Sequence, residues 1–101
     1  MKALAAADRF LQAWQGGDIE TGLVMLTPQA KNRTSHDEIE QVFSTSTPSA
    51  YEIDRGKLLH RGRYEFPIVL MSVSTKKTRR RFARIVVLNT GHSDWAVDKL
   101  P

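Results

Sequence analysis

Two long apolar runs in the second half of the chain, Tyr64 to Val73 and Phe82 to Leu88, constrain its fold more than any other feature. Both are rich in β-branched and aromatic residues, and both stay apolar at successive positions, so they read as strands of one antiparallel sheet with two hydrophobic faces. On the first run Tyr64, Phe66, Ile68 and Leu70 oppose Pro67, Val69, Met71 and Val73. On the second, Ala83, Ile85 and Val87 oppose Phe82, Val86 and Leu88, a set that Arg84 interrupts. A helical first half can cover one of these faces. The other is expected to meet a ligand, a partner or a second copy of the chain, and the reading favours a homodimer through the sheet.

The helical half is legible from spacing and caps. Ala3, Ala7, Phe10 and Trp14 recur at intervals of three and four, widened by Leu4 and Leu11, and predict a helix over 3–15. Gly16 and Gly17 end it, and Asp18 caps a second helix carrying Ile19, Leu23 and Leu26. Thr27-Pro28 reads as a stop, and the polar stretch to Thr34 as a loop. Ser35 followed by Glu38 forms a capping box ahead of Ile39, Val42 and Phe43, which predicts a short third helix. Residues 44–49 form a linker rich in serine and threonine. A first strand is expected over 51–59, a hairpin tip near 74–80, turn residues over 89–93, and a fourth strand over 95–100. The fold class is therefore α+β, with N-terminal helices on a four-stranded antiparallel sheet, in a single domain spanning 1–101.

With 101 residues there is room for one core and little for added catalytic loops. The absence of cysteine excludes disulfides, thiolate nucleophiles and sulfur-ligated metals. No apolar run approaches the ~20 residues that span a bilayer, and Asp8 and Arg9 break the apolar start before a signal core can form. The compartment is left open by these features: cytoplasmic for the sequence as given, cell-envelope or secreted with a leader upstream. The net charge of +4 is uneven, with eleven basic and five acidic side chains in residues 51–101 against four and six in residues 1–50. The sheet half is the basic half.

In that order, Phe10 to Asp18, a helical middle, an antiparallel sheet and a closing Trp95-Ala-Val-Asp98 resemble the nuclear transport factor 2-like superfamily over nearly the whole chain. The resemblance implies a cystatin-like cone, in which the first helix packs across a curved sheet and a pocket often lies between them. The superfamily holds ketosteroid isomerases, dehydratases, cyclases, transport factors and many small bacterial domains without known activity, so the fold does not choose among them. This chain is shorter than the enzymes, and its acids do not match their catalytic positions.

The chemistry-bearing residues are few. An isomerase-like or dehydratase-like mechanism needs a carboxylate base in an apolar cavity beside a hydroxyl donor; the candidates are Asp54, Glu65, Asp94 and Asp98 with Tyr51 or Tyr64. Acids that alternate with apolar strand residues usually face solvent, and Asp98 is expected to be the most outward. His36, His60 and His92 are too dispersed for a metal site, and neither a serine nucleophile elbow nor a phosphate-cradling glycine loop occurs. No cofactor is expected. If a cavity remains beneath the first helix, Phe10, Trp14, Phe43, Tyr51, Phe66 and Trp95 would wall it and favour an apolar small molecule. Arg84 would anchor a ligand carboxylate or a cross-dimer acid. The run Lys76, Lys77, Arg79, Arg80 and Arg81 could grip a polyanion such as nucleic acid, although no aromatic residue is interleaved at the tip. The reading that results is a non-catalytic, dimeric domain for a small ligand or protein partner, with the enzyme and the polyanion module as alternatives.

Overall fold

The computed structural model describes residues 2–43, 49–73, 77–91, 94–99 and 101. Of the linker expected over 44–49, residues 44–48 lie outside these, as do 74–76 of the hairpin tip expected near 74–80, His92 and Leu100; Ser49 and residues 78–80 are strand. Among the described residues four helices precede five strands: α1 (Lys2–Gln15), α2 (Ile19–Val24), α3 (Pro28–Arg33), α4 (His36–Phe43), β1 (Ser49–Ile53), β2 (Lys57–His60), β3 (Arg63–Val73), β4 (Thr78–Asn89) and β5 (Trp95–Lys99). The order across the open sheet is β1-β3-β4-β5, all antiparallel, and β2 pairs with β3 on the same edge as β1.

Helix α1 buries the predicted stripe of Ala3, Ala7, Phe10, Leu11 and Trp14, while Leu4 stays on the exposed side. It ends in a Schellman turn: Gly17 takes the left-handed φ of 69°, its N–H bonds the Trp14 carbonyl, and the Asp18 N–H bonds that of Ala13. Asp18 then caps α2 by accepting from the Thr21 N–H and hydroxyl. Ser35 likewise accepts from the Glu38 N–H at the head of α4.

Two expectations are corrected. Thr27-Pro28 does not open a loop but starts α3, because a residue that ends one helix can cap the next. The Thr27 hydroxyl accepts from the Ala30 N–H, and Pro28 occupies the first turn, where its missing N–H costs nothing. The strand expected over 51–59 is broken into β1 and β2. Opposite the break stands Pro67, whose carbonyl accepts from the Asp54 N–H at 2.8 Å while its own nitrogen has no hydrogen to continue the ladder. The connecting Gly56 crosses so close to Phe66 that a Cβ there would lie 2.3 Å from the ring.

One core joins the helices to one face of the sheet. Phe66, Ile68, Leu70, Ile85, Val87 and Val97 meet α1, Leu26, Ala30, Ile39 and Phe43, and Phe10 packs edge-on to Phe43 at 5.5 Å between centroids. Helix α2 comes close to α4 at Gly22, where a Cβ would stand 2.1 Å from the Phe43 ring. The segment after α2 covers the free edge of β5: the Val97 N–H donates to Met25, and the Thr27 N–H donates to Val97.

Alanine in place of a helical glycine ordinarily stabilises by about 1 kcal/mol. Gly22→Ala is expected to do the reverse, lowering the unfolding free energy by about 1–3 kcal/mol through overpacking against Phe43. Urea denaturation checks this by a lower midpoint at unchanged slope.

Candidate functional site

The described residues offer three clusters that could do more than hold the fold. The first surrounds Asp98. The pairing of β4 with β5 runs Val87 to Val97 and then Val86 to Lys99, leaving Asp98 as the extra residue of a bulge. Asp98 is buried, 5% exposed, which corrects the expectation that it faces solvent. Its carboxylate accepts from the Thr27 hydroxyl at 2.8 Å and lies 2.7 Å from an Arg63 nitrogen and 3.6 Å from one of Arg33. Arg33 also donates to the Asp98 carbonyl at 2.6 Å. Alternation along a single strand could not foresee this, because the partners come from β3, α3 and the α2–α3 junction. Burial alone would raise the carboxyl's pKa, but the hydrogen bonds from Thr27 and Arg63 and the charges of Arg63 and Arg33 outweigh it and hold it below the ordinary aspartate value. With every oxygen engaged, Asp98 is a clamp rather than a base.

The second cluster joins α1 to β1. The Tyr51 hydroxyl donates to the Asp8 carboxylate at 2.7 Å, and Gln12 donates to its other oxygen at 2.9 Å. Burial, the hydrogen bond to Asp8 and the Asp8 charge push the phenol up to about 12. Beside them lies a shallow groove of about 520 Å³ lined by Leu4, Ala5, Asp8, Tyr51 and Ile53. Asp8 was not among the sequence candidates. Its only signal was an acid next to the buried stripe, one turn after Leu4 and one before Leu11.

The third is the sheet face turned away from the helices. Register places Glu52, Val69 and Phe82 in one row, with Asp54, Pro67 and Arg84 in the next. A groove of about 850 Å³ runs over them, with Lys99 and Pro101 on its far bank. Phe82, at the β4 end of its row, is 80% exposed. Arg84 pairs with Glu65 at 3.3 Å on the same face. Acids thus line the β1 side, bases line the β4 and β5 side, and the strip between is apolar.

The expected pocket wall is distributed between core and rim. Phe10, Trp14, Phe43 and Phe66 sit inside the continuous core, 0–7% exposed. Tyr51 is half-buried beside Asp8, and Trp95 is half-buried edge-on to Tyr64 at 5.7 Å. Lys77, Arg79, Arg80 and Arg81 are exposed at the start of β4, and Lys76 lies outside the described residues. Asp54 and Asp94 are exposed. Of the histidines, His36 is exposed and pairs with Glu40 at 2.9 Å, and His60 is exposed on β2. Among the described residues no three metal-ligating side chains converge, and no helix is long and apolar enough to cross a membrane. No family model and no curated protein matches the chain.

Two outcomes follow from these pairs. Asp98→Asn is expected to cost about 2 kcal/mol by weakening charge-assisted hydrogen bonds, the loss being limited because Arg33 and Arg63 can still reach water. The contribution of Asp98 is present above the unfolded-state aspartate pKa and is lost as pH falls through the lower folded value, so the wild type and D98N curves of stability against pH should converge in acid. For Tyr51 the sign is opposite: a raised pKa adds stability below the ordinary tyrosine value that vanishes toward about 12. Ultraviolet titration should show one late tyrosinate step, absent in Tyr51→Phe and moved to lower pH in Asp8→Asn.

Proposed function

We propose that the chain is a non-catalytic, homodimeric binding domain of the nuclear transport factor 2-like kind, a cone of helices over a curved sheet whose uncovered face takes a second copy of itself. The observation that carries this reading is the arrangement of the outer face: an apolar strip of Pro67, Val69 and Phe82, with Glu52 and Asp54 on one side and Arg84 and Lys99 on the other. An exposed Phe beside Val and Pro favours coverage. Balanced charge argues against a polyanion as the cover and for a partner of the same pattern reversed.

A second copy meets that requirement in one of two orientations. With the two-fold axis along the strands, the acidic side of one copy lies over the basic side of the other, Asp54 near Arg84. With the axis across the strands, acid meets acid and base meets base. Charge therefore selects the first. The eleven residues of β3 and the three spacings across the sheet give a plane of about 500 Å² per copy, at the small end of specific interfaces, so a weak, micromolar dimer is expected. A small apolar molecule in the groove is the competing occupant.

The isomerase-like or dehydratase-like reading has the Asp8–Tyr51 pair in its favour. It is the weaker one, because Asp8 already accepts from Tyr51 and Gln12 and its groove is open to water.

Sedimentation equilibrium tests the dimer. Phe82→Asp should abolish it. Asp54→Arg and Arg84→Asp should each weaken it about tenfold, the scale of one to two exposed ion pairs at a desolvating interface, and the two together in one chain should restore much of the loss. A wild-type protein that stays monomeric into the hundreds of micromolar would sink the proposal. Recovery failing in the double variant while Phe82→Asp still dissociates the dimer would sink the orientation alone.

A further inference from the structure

We infer that the groove between α1 and β1 binds a small organic amine, its ammonium held by the Asp8 carboxylate and its apolar body laid along Leu4, Ala5 and Ile53. The site lies on the helix side of the sheet, so it is separate from the outer apolar strip and does not depend on dimerisation.

The charge of this groove sets it apart. Over the outer face, Glu52 and Asp54 stand across from Arg84 and Lys99, and in a groove beside Trp95, Asp94 shares the walls with Lys2 and Arg9. The five residues that line the α1–β1 groove include Asp8 and no base. The partly buried acids of the sheet are matched within the fold, Asp98 by Arg33 and Arg63, and Glu65 by Arg84. Asp8 has only neutral partners among the described residues, the Tyr51 hydroxyl on one oxygen and the Gln12 amide on the other. Along the Tyr51 row, Arg81 stands beyond Leu70, two strand spacings or about 9.5 Å from Tyr51. A half-buried carboxylate with no cation beside it attracts one, because its field is less screened than in open water.

The same neutral partners pre-form the site. An ionised carboxylate accepts at about four positions, and Tyr51 and Gln12 take one on each oxygen, which fixes its plane and leaves the others for the N–H donors of an ammonium. The Tyr51 ring lines the groove beside it, an aromatic surface of the kind organic cations favour. Leu4 is 40% exposed and Ile53 half-buried, so apolar surface remains for the body of the ligand to cover. The volume of about 520 Å³ falls in the range of small-molecule sites. A divalent metal needs several oxygen ligands, which one carboxylate does not supply, and an apolar acid would meet like charge.

The test is an NMR titration of the full isotope-labelled chain with phenethylamine, set against phenethyl alcohol and hydrocinnamate, which keep the apolar body and change the charge. The amine is expected to bind with a dissociation constant on the order of 1 mM, the scale for so small a ligand in an open groove. It should shift the amides of Leu4 to Gln12 and of Tyr51 to Ile53. The alcohol should bind several-fold more weakly and hydrocinnamate at least tenfold more weakly. Asp8→Asn should weaken the amine at least tenfold and remove its advantage over the alcohol, while Asp37→Asn, which removes an exposed acid on α4, should leave both unchanged. Circular dichroism confirms folding, and the ligand series in the unaltered chain decides the matter even where Asp8→Asn loses stability. No shift at these amides up to about 20 mM amine, or shifts centred on Lys2, Arg9 and Trp95, would overturn the assignment. Equal binding of hydrocinnamate, an amine affinity unmoved in folded Asp8→Asn, or an equal loss in Asp37→Asn would do the same.

Discussion

A carboxylate removed from water must be compensated where it stands, and Asp98 meets that requirement only if three separate parts of the chain converge. Thr27 brings the junction of α2 and α3, Arg33 the end of α3, and Arg63 the start of β3. The interaction is directional, so it sets the position of each. Thr27 serves twice, its hydroxyl accepting from Ala30 to start α3 while donating to Asp98. The bulge that leaves Asp98 without a β4 partner frees its side chain for these contacts. The same convergence lays Met25 and Thr27 along the edge of β5, closing a row of backbone groups that would otherwise be open to another chain. Hydrophobic burial supplies most of the driving force for the fold. The Asp98 cluster contributes less energy but sets where the elements meet.

The sheet divides the molecule into unlike surfaces. Toward the helices it is a packed core in which Phe10, Phe43 and Phe66 leave so little slack that Gly22 and Gly56 have no space for a methyl group. Away from them the same strands carry an apolar strip with charge balanced across it, and at the hairpin end a basic run with no balancing acid. Both surfaces are borne on regular strands, so their side chains are spaced by the sheet rather than by a loop.

Much of this was legible in the linear pattern. Alternation in 64–73 and 82–88 assigns each residue its face, and the caps at Gly17, Asp18 and Ser35 mark real helix ends. What misled was local ambiguity. Thr27-Pro28 is both a helix stop and a helix start, and Tyr51 to Leu59 has strand character throughout although its partner strand holds Pro67 at the break. Asp8 lay beside the buried stripe with nothing to single it out, since its significance is Tyr51, which is 43 residues away. The expected pocket wall was drawn from aromatic content, a signal that is the same for a cavity lining and for a filled core.

The helical and strand halves, the two apolar faces of the sheet and the basic character of the hairpin end follow from the order of residues, because each depends on periodicity or composition within a short window. That Asp98 is buried and held by two arginines, that Tyr51 meets Asp8, and that acids and bases fall on opposite banks of the outer groove emerges only when the elements pack. These facts depend on which strands lie side by side, on a bulge, and on a proline facing a strand break. Such pairings join residues distant in the chain, and no local pattern encodes the distance between them.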